Sequence, residues 1–517
     1  MKMVKSLILG SAAGLVAMSG AQAADLPVKA KAVEYVRICS LYGAGFWYIP
    51  GTDTCIKLGG YLRAEVAVNT NSVYTGNTNL PGSSFNRMTN GYTWRSREDF
   101  NIDTRTATEY GVVRTFFDGT FTWTTDSYTQ GPAAGSTIYS QLGATGVSAP
   151  ANANAGATSF GQLGVYYAFI QFAGFTMGKA VSVFDAPFSA YPGNNFDGLV
   201  GGGGTITGVN QFTYTAQFGG GWSGTISLQD QVAYFQAGVN NISAGGAFGT
   251  SDYANTVAPD VVAALQVDQV WGTGKLSVAA HDNHTAYYGA TELTGHPDDK
   301  WGFAVQGALS LKTDWIAAGD TLNVSGVYTN GATRYNIQNL AAGAGAAQIY
   351  GGSSVAYQSV GFGVAPDTLF AIGTQQQFIQ TWGMRGAYNH NWDPYWSSAL
   401  YGAFASVRYS DGAKALVCGG VVNGITFVGS FRALANAAAG GITTCNPDYN
   451  IAQIGFITRW TPVKNLTFSA DFVWTGLDQK MVGFVTAPAA SVFKPALAYE
   501  LRDQSTVQVL FRAQRNW

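Results

Sequence analysis

A two-residue alternation of side chains near both ends of the chain constrains the fold more than any other feature. Between Cys55 and Asn69, one face carries Ile56, Leu58, Gly60, Leu62, Ala64, Val66 and Val68, and the other carries Lys57, Gly59, Tyr61, Arg63, Glu65, Ala67 and Asn69. From Ser505 to Trp517, one face carries Val507, Val509, Phe511, Ala513, Arg515 and Trp517. Both patterns are strand periodicity. Pairing the last strand with the first would leave no open edge, so we predict a barrel that closes there, with Trp517 at the closure.

Short turns and long polar loops alternate along the rest of the chain. The turns are predicted at Thr104 to Thr108, Phe172 to Gly174, Gly219 to Gly221, Trp271 to Gly274, Thr313 to Gly319, Asn391 to Pro394 and Thr461 to Lys464. The loops are predicted at Thr70 to Gly91, Thr124 to Phe160, Asp185 to Thr205, Ala237 to Val257, Gly289 to Asp299, Tyr335 to Thr374, Ser410 to Asp448 and Lys480 to Asp503. Seven turns and eight loops give sixteen strands. We predict an all-β, sixteen-stranded antiparallel transmembrane barrel with short periplasmic turns and long extracellular loops.

The composition favours a barrel whose apolar face meets lipid over a soluble β-sandwich. Charged residues make up 11% of the chain and aromatic residues 14%, whereas soluble domains contain about 25% charged residues. Tryptophans lie near the predicted strand ends, as an interfacial girdle requires: Trp222, Trp271, Trp301, Trp315, Trp382, Trp392, Trp396 and Trp460.

The first 23 residues have the order of a cleaved secretory signal. Lys2 and Lys5 precede an apolar run from Leu7 to Met18, and a small-residue motif ends at Ala23. We therefore expect a signal peptide at 1–23, an N-terminal periplasmic segment at 24–53 and the barrel at 54–517. Without the signal, 26 basic and 30 acidic residues remain, a net charge of −4. This balance does not suggest a nucleic-acid partner.

Four cysteines allow three disulfide pairings, and an exported chain meets an oxidising compartment. Proximity in the sequence favours Cys39 with Cys55 and Cys418 with Cys445. A zinc site is not expected, because no close cysteine pair and no nearby histidine accompanies them.

Five segments resemble the alphaproteobacterial porin family of major outer-membrane proteins. They are Glu34 to Cys39, Tyr42 to Cys55, Gly59 to Arg63, Gly174 to Lys179 and Arg459 to Leu466, so the resemblance extends over the mature chain. It implies a homotrimer in outer-membrane lipid whose third extracellular loop folds into the lumen, here at about Asp185 to Thr205. It also implies that the barrel-assembly machinery recognises the C-terminal aromatic residue, Trp517. The tetraglycine Gly201 to Gly204 matches no motif of the family.

Sixteen strands leave an aqueous channel, so charges at its narrowest level would control passage. Asp185 and Asp197 would supply negative charge from the inserted loop, and Arg63, Arg95, Arg97 and Arg114 positive charge from the wall. Lys57 would lie close to the periplasmic rim, and Arg385, Arg408, Arg459 and Arg512 would also face the lumen. An arginine facing mid-bilayer lipid costs about 2 to 4 kcal/mol, so Arg63, Arg95, Arg97 and Arg114 would point inward or lie near an interface. Alternatively, several arginines pair with Glu65, Asp99 or Asp103 and only stiffen the wall.

The sequence favours a passive porin for small hydrophilic molecules and ions. A channel selective for one solute, such as an anion or a sugar, is the alternative within this class. An exported β-rich adhesin or structural protein is the alternative from another class. Enzymatic chemistry, a cofactor and a metal are not expected, since the chain has four histidines and lacks the lysine of a phosphate loop. His281 and His284 could form a metal pair or a solvated loop margin.

Overall fold

The computed structural model describes residues 37–69, 91–124, 162–232, 234–338, 347–351, 359–486 and 497–517. The predicted signal peptide, residues 24–36, most of the predicted loop Thr70 to Gly91 and nearly all of the loop Thr124 to Phe160 lie outside these residues. Two compact units, Met1–Ile56 and Lys57–Trp517, are described separately.

The described part of the first unit is organised around one disulfide bond. Cys39 and Cys55 are bonded, with their Cα atoms 6.1 Å apart, which is the pairing that sequence proximity favours. The short strand Trp47–Tyr48 pairs with residues 55 and 56, and the 3₁₀ helix Ser40–Tyr42 precedes it. Phe46 packs against the buried disulfide, so this small unit is fixed by a covalent bond and a few aromatic contacts.

Sixteen long strands, labelled β1 to β16, pair antiparallel in sequence order. They are Thr54–Val68, Tyr92–Thr108, Gly111–Thr124, Gln162–Phe172, Phe175–Ala180, Val209–Gly219, Trp222–Gln229, Asp260–Gln269, Gly272–Asn283, Lys300–Lys312, Thr321–Asn330, Gln377–Asn391, Trp396–Tyr409, Tyr449–Val463, Leu466–Gln479 and Gln504–Asn516. β16 pairs with β1, from Tyr61 opposite Asn516 to Val68 opposite Val509, and closes the barrel. The predicted strand number and closure are confirmed.

The two faces of the strands follow the alternation in the sequence. On β16, Val507 and Phe511 are about half exposed on the outside, whereas Gln508 is buried on the inside. All the predicted girdle tryptophans are exposed: Trp222, Trp271, Trp315, Trp392, Trp396 and Trp460 lie towards the short turns, and Trp301 and Trp382 towards the long loops. The outer face is therefore apolar with aromatic margins, as a lipid-facing barrel requires.

Most short turns lie where the sequence predicts them, but the first does not. Thr104 to Thr108 belong to β2, and the turn falls at Glu109 and Tyr110. The prediction was wrong because successive polar residues resemble a turn. A strand that faces water on one side can also contain several polar residues. At the β4–β5 turn, Ala173 and Gly174 both have positive φ (49° and 86°), the geometry that closes a two-residue hairpin.

The long loops contain the remaining elements. The only α-helix among the described residues is α1, Asp411–Cys418. The 3₁₀ helices here are Ile242–Ala244, Glu292–Thr294, Thr333–Tyr335, Phe431–Leu434 and Ala437–Ala439. The short strands are Val239–Asn241, Thr250–Ser251, Ala347–Gly351, Ser359–Gly363, Thr368–Phe370, Gly420–Val422, Ile425–Phe427, Ile442–Thr444, Val482–Thr486 and Ala498–Leu501. Within the described residues, no helix has the length and apolarity needed to cross a membrane.

Three long loops pack together at one end of the barrel, and we call the described parts of residues 331–376, 410–448 and 480–503 the outer cap. Its core includes Phe362, Leu416, Phe431 and Tyr499, all nearly inaccessible to solvent. Phe362 and Phe431 meet edge to face, with ring centroids 5.2 Å apart. The disulfide Cys418–Cys445, again the pairing that proximity favours, closes one of the three loops. The cap is thus a packed structure rather than a set of separate loops.

Candidate pore constriction

The connection between β5 and β6, residues 181–208, folds into the lumen, and we call it the inward loop. Lys275 donates from Nζ to the carbonyl oxygen of Asp185 (2.8 Å), and Gln306 donates to that of Phe184 (2.6 Å). On the far side, the backbone N–H groups of Asn195 and Phe196 donate to Oδ2 of Asp471 (2.6 and 3.2 Å). The loop therefore crosses the barrel from β5 to β15, and its predicted inward path is confirmed.

Arg385 on β12 is the main anchor of the inward loop. Its guanidinium donates to the carbonyl oxygens of Ser189 (2.6 Å), Gly202 (3.0 Å) and Gly203 (2.5 Å). The side chain is buried, so these charge-assisted bonds replace its hydration. One side chain thus ties two distant parts of the loop to the wall.

The tetraglycine Gly201 to Gly204 allows the loop to approach β12 closely. Gly201 has a φ of 88°, and a Cβ there would lie 2.3 Å from the backbone carbonyl of Met384. A Cβ at Gly204 would lie 2.4 Å from that of Ala190. A side chain at Gly201 would push the loop off the wall, and one at Gly204 would push two parts of the loop apart. The glycines that match no family motif therefore have a local structural reason.

The tip of the loop is held by two further arginines. Arg459 donates to the carbonyl oxygen of Gly193 (2.6 Å), and Arg512 donates to that of Asn195 (3.2 Å). Tyr401 donates to Asp471 Oδ1 (2.5 Å), which orients the carboxylate that receives the loop backbone. Arg385, Arg459 and Arg512 all face the lumen, as their strand positions indicate. The prediction was wrong for Arg408, which shares the outer face of β13 with the exposed Leu400, whereas Tyr401 and Val407 are buried on the inner face.

The two loop carboxylates occupy different surroundings. Asp185 is 1% exposed, and its Oδ2 accepts hydrogen bonds from Thr205 N (2.6 Å) and from the Ser189 hydroxyl (2.8 Å), so it braces the loop from inside. Asp197 is partly exposed and accepts a short hydrogen bond from the Tyr191 hydroxyl. Burial, reinforced by the Asp197 carboxylate, holds the pKa of the Tyr191 phenol well above its usual range, while Arg512 and Arg63 act in the opposite sense. Of the two carboxylates, Asp197 is therefore the one nearer to open lumen.

Three arginines surround Glu65 on the wall formed by β16, β1 and β2. Glu65 is 1% exposed and accepts hydrogen bonds from Arg95 and, across the closure, from Arg512 (2.5 Å). Arg63 lies 4.0 Å from the same carboxylate and donates to Gln514 (2.9 Å). Three guanidinium groups around one carboxylate leave this level of the wall locally positive.

Arg97 and Arg114 extend the basic wall onto β2 and β3. Arg97 donates to the Thr122 hydroxyl (2.9 Å) and lies over the ring of Tyr166 (5.4 Å to its centroid). Arg114 forms an ion pair with Asp103 (3.0 Å), so its position on the lumen side is as the alternation predicts. The sequence allowed arginines that line the constriction or arginines that pair with acidic residues and stiffen the wall. Arg95 and Arg114 pair with acidic residues, whereas Arg63 and Arg97 bond mainly to neutral groups.

Lys57 is exposed near the short-turn end of β1. The histidines do not form a metal pair: His281 is buried between Asp260 (2.8 Å from Nδ1) and Asp367 (3.5 Å from Nε2), and His284 lies beside Asp299 (2.9 Å). Burial of His281 also rules out a solvated margin at that position. No cluster of potential metal ligands occurs in the described parts of the chain.

Trp517 completes the closure. Its backbone N–H donates to the carbonyl oxygen of Gly60 (3.1 Å), and its ring lies 6.0 Å from that of Phe100. A Cβ at Gly60 would lie 2.0 Å from the carbonyl oxygen of Asp99 on β2 and 3.0 Å from the Trp517 ring, so no side chain fits there. The C-terminal residue is therefore in contact with β1 and β2 rather than extending beyond the sheet.

Residues 25–510 match the family model described as the porin subfamily. The chain belongs to the porin subfamily. This porin is 32% identical over 385 residues to Porin Omp2b of Brucella neotomae, a match that covers 71% of this chain and 92% of that protein. It is 34% identical over 313 residues to Porin Omp2b of Brucella suis biovar 1, covering 59% and 74%. The family resemblance seen in the sequence is confirmed.

Among solved structures, the porin is similar to the outer membrane channel DcaP of Acinetobacter baumannii. The TM-score is 0.53 at 14% identity, and the match covers 91% of this chain and 99% of that one. At this identity the similarity supports the fold alone. Family and fold together assign the porin to the bacterial outer membrane, and they indicate a channel rather than an enzyme.

Proposed function

We propose that the porin is a passive channel for small hydrophilic molecules and ions, with its constriction between the inward loop and the basic wall. The inward loop carries this proposal. Its bonds run to Lys275, Gln306, Arg385 and Asp471 on one part of the wall. The arginines of β1 to β3 line the part of the wall next to the loop tip, which Arg512 holds at Asn195.

In this proposal the passing solute experiences Asp197 on one side and Arg63 and Arg97 on the other. Opposed charges across a narrow water-filled gap create a transverse field, which orients dipolar solutes and biases ion passage. Arg95 and Arg114 also lie on this wall, where each forms an ion pair, with Glu65 and Asp103 respectively. Asp185 holds the loop in position, and Lys57 adds a positive charge near the periplasmic rim.

Purified porin in a planar bilayer tests the channel. We expect stepwise conductance in KCl that rises in proportion to salt concentration, without saturation, and heat-denatured porin is the matched control. Folded porin that gives no steps would contradict the proposal. A soluble, detergent-independent protein would instead support the adhesin alternative.

The functional unit of the proposal is a homotrimer, and Glu98 supports it. Alternation on β2 places Arg97 and Asp99 inside, so Glu98 and Ser96 face outward near mid-strand. A carboxylate facing lipid is unfavourable, and a protein neighbour would shield it. Three conductance levels per insertion are therefore expected. A bifunctional thiol reagent should cross-link Ser96→Cys between protomers but not Leu276→Cys, an exposed control on β9; equal cross-linking would contradict this interface.

Targeting and assembly complete the proposal. A signal peptide at 1–23 would direct export, and the barrel-assembly machinery would recognise the strand that ends in Trp517. The contacts of Trp517 with Gly60 and Phe100 support a role for this residue when the last strand joins the first.

A further inference from the structure

A cavity of about 420 Å³ lies in the lumen on the short-turn side of the inward loop. Strands β3 to β9 supply its wall, and Val181 and Val183 of the inward loop cover it. This size is within the roughly 300 to 1,000 Å³ typical of small-molecule sites. Any solute that crosses the constriction next to the β4 wall would meet this cavity.

One wall of the cavity is aromatic, although it lies inside the lumen. The rings of Phe116 and Phe169 lie 5.4 Å apart, and Tyr167 lies 6.2 Å from Phe116. A register shift after Asp118 allows both Tyr166 and Tyr167 to face inward. The result is a continuous aromatic surface inside the channel, not on its lipid face.

The facing wall offers neutral hydrogen-bonding groups. Gln211, Thr213, Thr225 and Gln266 line it. Amides and hydroxyls of this kind both donate and accept hydrogen bonds, and they carry no charge.

The nearby charges already have partners. Arg114 lies over the rings of Phe116 (5.1 Å) and Phe169 (5.5 Å), but its guanidinium is paired with Asp103. Lys275, the one charged residue among those described as lining the cavity, donates to the Asp185 carbonyl oxygen. An anionic ligand would compete with these partners of Arg114 and Lys275. A neutral ligand would leave them in place and share the amides and hydroxyls, of which Gln266 already donates to Asp268 (2.8 Å) and Thr213 to Gln211 (2.6 Å).

We propose that this cavity is a binding site for a neutral sugar. The C–H face of a pyranose ring would stack on Phe116 and Phe169, and its hydroxyl groups would exchange hydrogen bonds with the Gln and Thr wall. This inference rests on the proposed channel function and deepens it: the pore conducts ions freely but holds sugars transiently, so sugar passage saturates.

Block of KCl current by glucose and maltose in single-channel recordings tests the site. We expect concentration-dependent block in the porin and a half-saturating concentration about three- to tenfold higher in Phe169→Ala, the loss of one aromatic contact. Ile170→Ala is the matched control, since Ile170 is 46% exposed on the lipid face and should leave the block unchanged. Gln266→Ala, on the opposite wall, provides a second variant should Phe169→Ala not fold.

The outcomes separate this inference from the channel proposal. KCl conductance without saturable sugar block, or equal sugar block in Phe169→Ala and Ile170→Ala, would overturn the sugar site and leave the channel proposal standing. Block by benzoate but not by sugars would also overturn it, in favour of an aromatic anion. Calorimetric titration of detergent-solubilised porin with maltose needs no conductance; binding heat that is lost in Gln266→Ala supports the site, and no heat in the porin contradicts it.

Discussion

Arg512 donates a hydrogen bond from Nε to Oε1 of Glu65 (2.5 Å), across the closure of the barrel and over a sequence separation of 447 residues. Glu65 therefore both joins the two ends of the chain and neutralises part of the basic wall. Replacing it with Gln would leave three guanidinium groups around a neutral amide. We expect Glu65→Gln to shift the reversal potential in a KCl gradient towards anion preference, and to destabilise the barrel by about 3 kcal/mol.

Glu109→Gln is the control for that experiment, because it removes the same charge from the exposed β2–β3 turn. The reversal potential should stay close to that of the unmodified porin. If both variants shift it equally, the wall at Glu65 does not govern ion choice.

Arg385 determines how firmly the inward loop is held. Arg385→Ala removes its bonds to the carbonyl oxygens of Ser189, Gly202 and Gly203. The loss is about 3 kcal/mol or more, given about 1.5 to 3 kcal/mol for each hydrogen bond to a charged group. We expect larger and noisier single-channel currents, because the loop would leave the wall.

Two further variants test whether the effect of Arg385→Ala comes from its hydrogen bonds to the loop. Arg385→Lys keeps the charge but loses the planar fork, so its currents should be intermediate. Arg408→Ala removes an arginine that bonds Tyr449 O (3.1 Å) and Asn450 (2.9 Å) near the outer cap. Noise as high in Arg408→Ala as in Arg385→Ala would show that the effect is not specific to the loop.

The barrel could be predicted from sequence because each strand meets water on one side and lipid on the other. That contrast imposes the alternation on both terminal strands and places Arg114 correctly, although Phe116 shares its face. The first turn was misplaced for the same physical reason, since polar lumen residues such as Asp103 and Arg105 resemble turn residues. Alternation reports which face a residue occupies, but not where a polar strand ends.

The detailed site could not be predicted, because its contacts join residues far apart in the chain. Strand position shows that Arg385 faces inward, but it does not show that carbonyl oxygens of the inward loop accept hydrogen bonds from it. Asp185 and Asp197 look equivalent in the sequence, yet one braces the loop and the other lies near open lumen. The tetraglycine was the available signal: four consecutive glycines indicate a close backbone approach.

Asp320, at the β10–β11 turn, gives the porin an acid-sensitive contact. Its burial favours the neutral form, but hydrogen bonds from Tyr388 (2.6 Å), the Asn391 N–H (2.8 Å) and His390 (2.7 Å) outweigh that effect and lower the pKa below 3.8. The stabilisation is therefore complete above the unfolded-state pKa of about 4 and is lost as pH falls through the lower folded-state value.

We expect Asp320→Asn to lower the temperature at which the folded band disappears from gels at pH 7, by the equivalent of about 1 to 3 kcal/mol. The difference from the unmodified porin should begin to shrink below about pH 4, where the unfolded chain takes up the proton. It should disappear once the pH is below the lower folded-state pKa, where the native carboxylate is also protonated. Asp298→Asn, on the exposed β9–β10 loop, should match the unmodified porin throughout. A difference for Asp320→Asn that persists unchanged at pH 2 would contradict this account.

The disulfide Cys418–Cys445, with a sequence separation of 27, constrains the loop that carries α1. A closed loop of that length contributes about 3.5 kcal/mol in the chain-entropy account. We expect Cys418→Ser/Cys445→Ser to be cut faster by trypsin at Lys414 and Arg432, which lie in this loop, while the barrel stays folded. The Cys39→Ser/Cys55→Ser variant, which loses the other disulfide bond, is the control. If trypsin cut this variant equally fast at Lys414 and Arg432, the effect would not be specific to the Cys418–Cys445 bond.

Trp517 donates its backbone N–H to Gly60, and its ring contacts Phe100 where the last strand meets the first, so we expect it to contribute to assembly. Deleting it removes one hydrogen bond and an aromatic contact at the closure, but no group from the constriction. We therefore expect fewer folded barrels in the outer membrane, with unchanged conductance for each channel that does form. Trp517→Phe should restore most of the folded porin, since a ring is kept, and Trp315→Ala, an exposed turn-side tryptophan, should assemble normally. Normal assembly after the deletion would show that β1 and β16 close without their terminal contact.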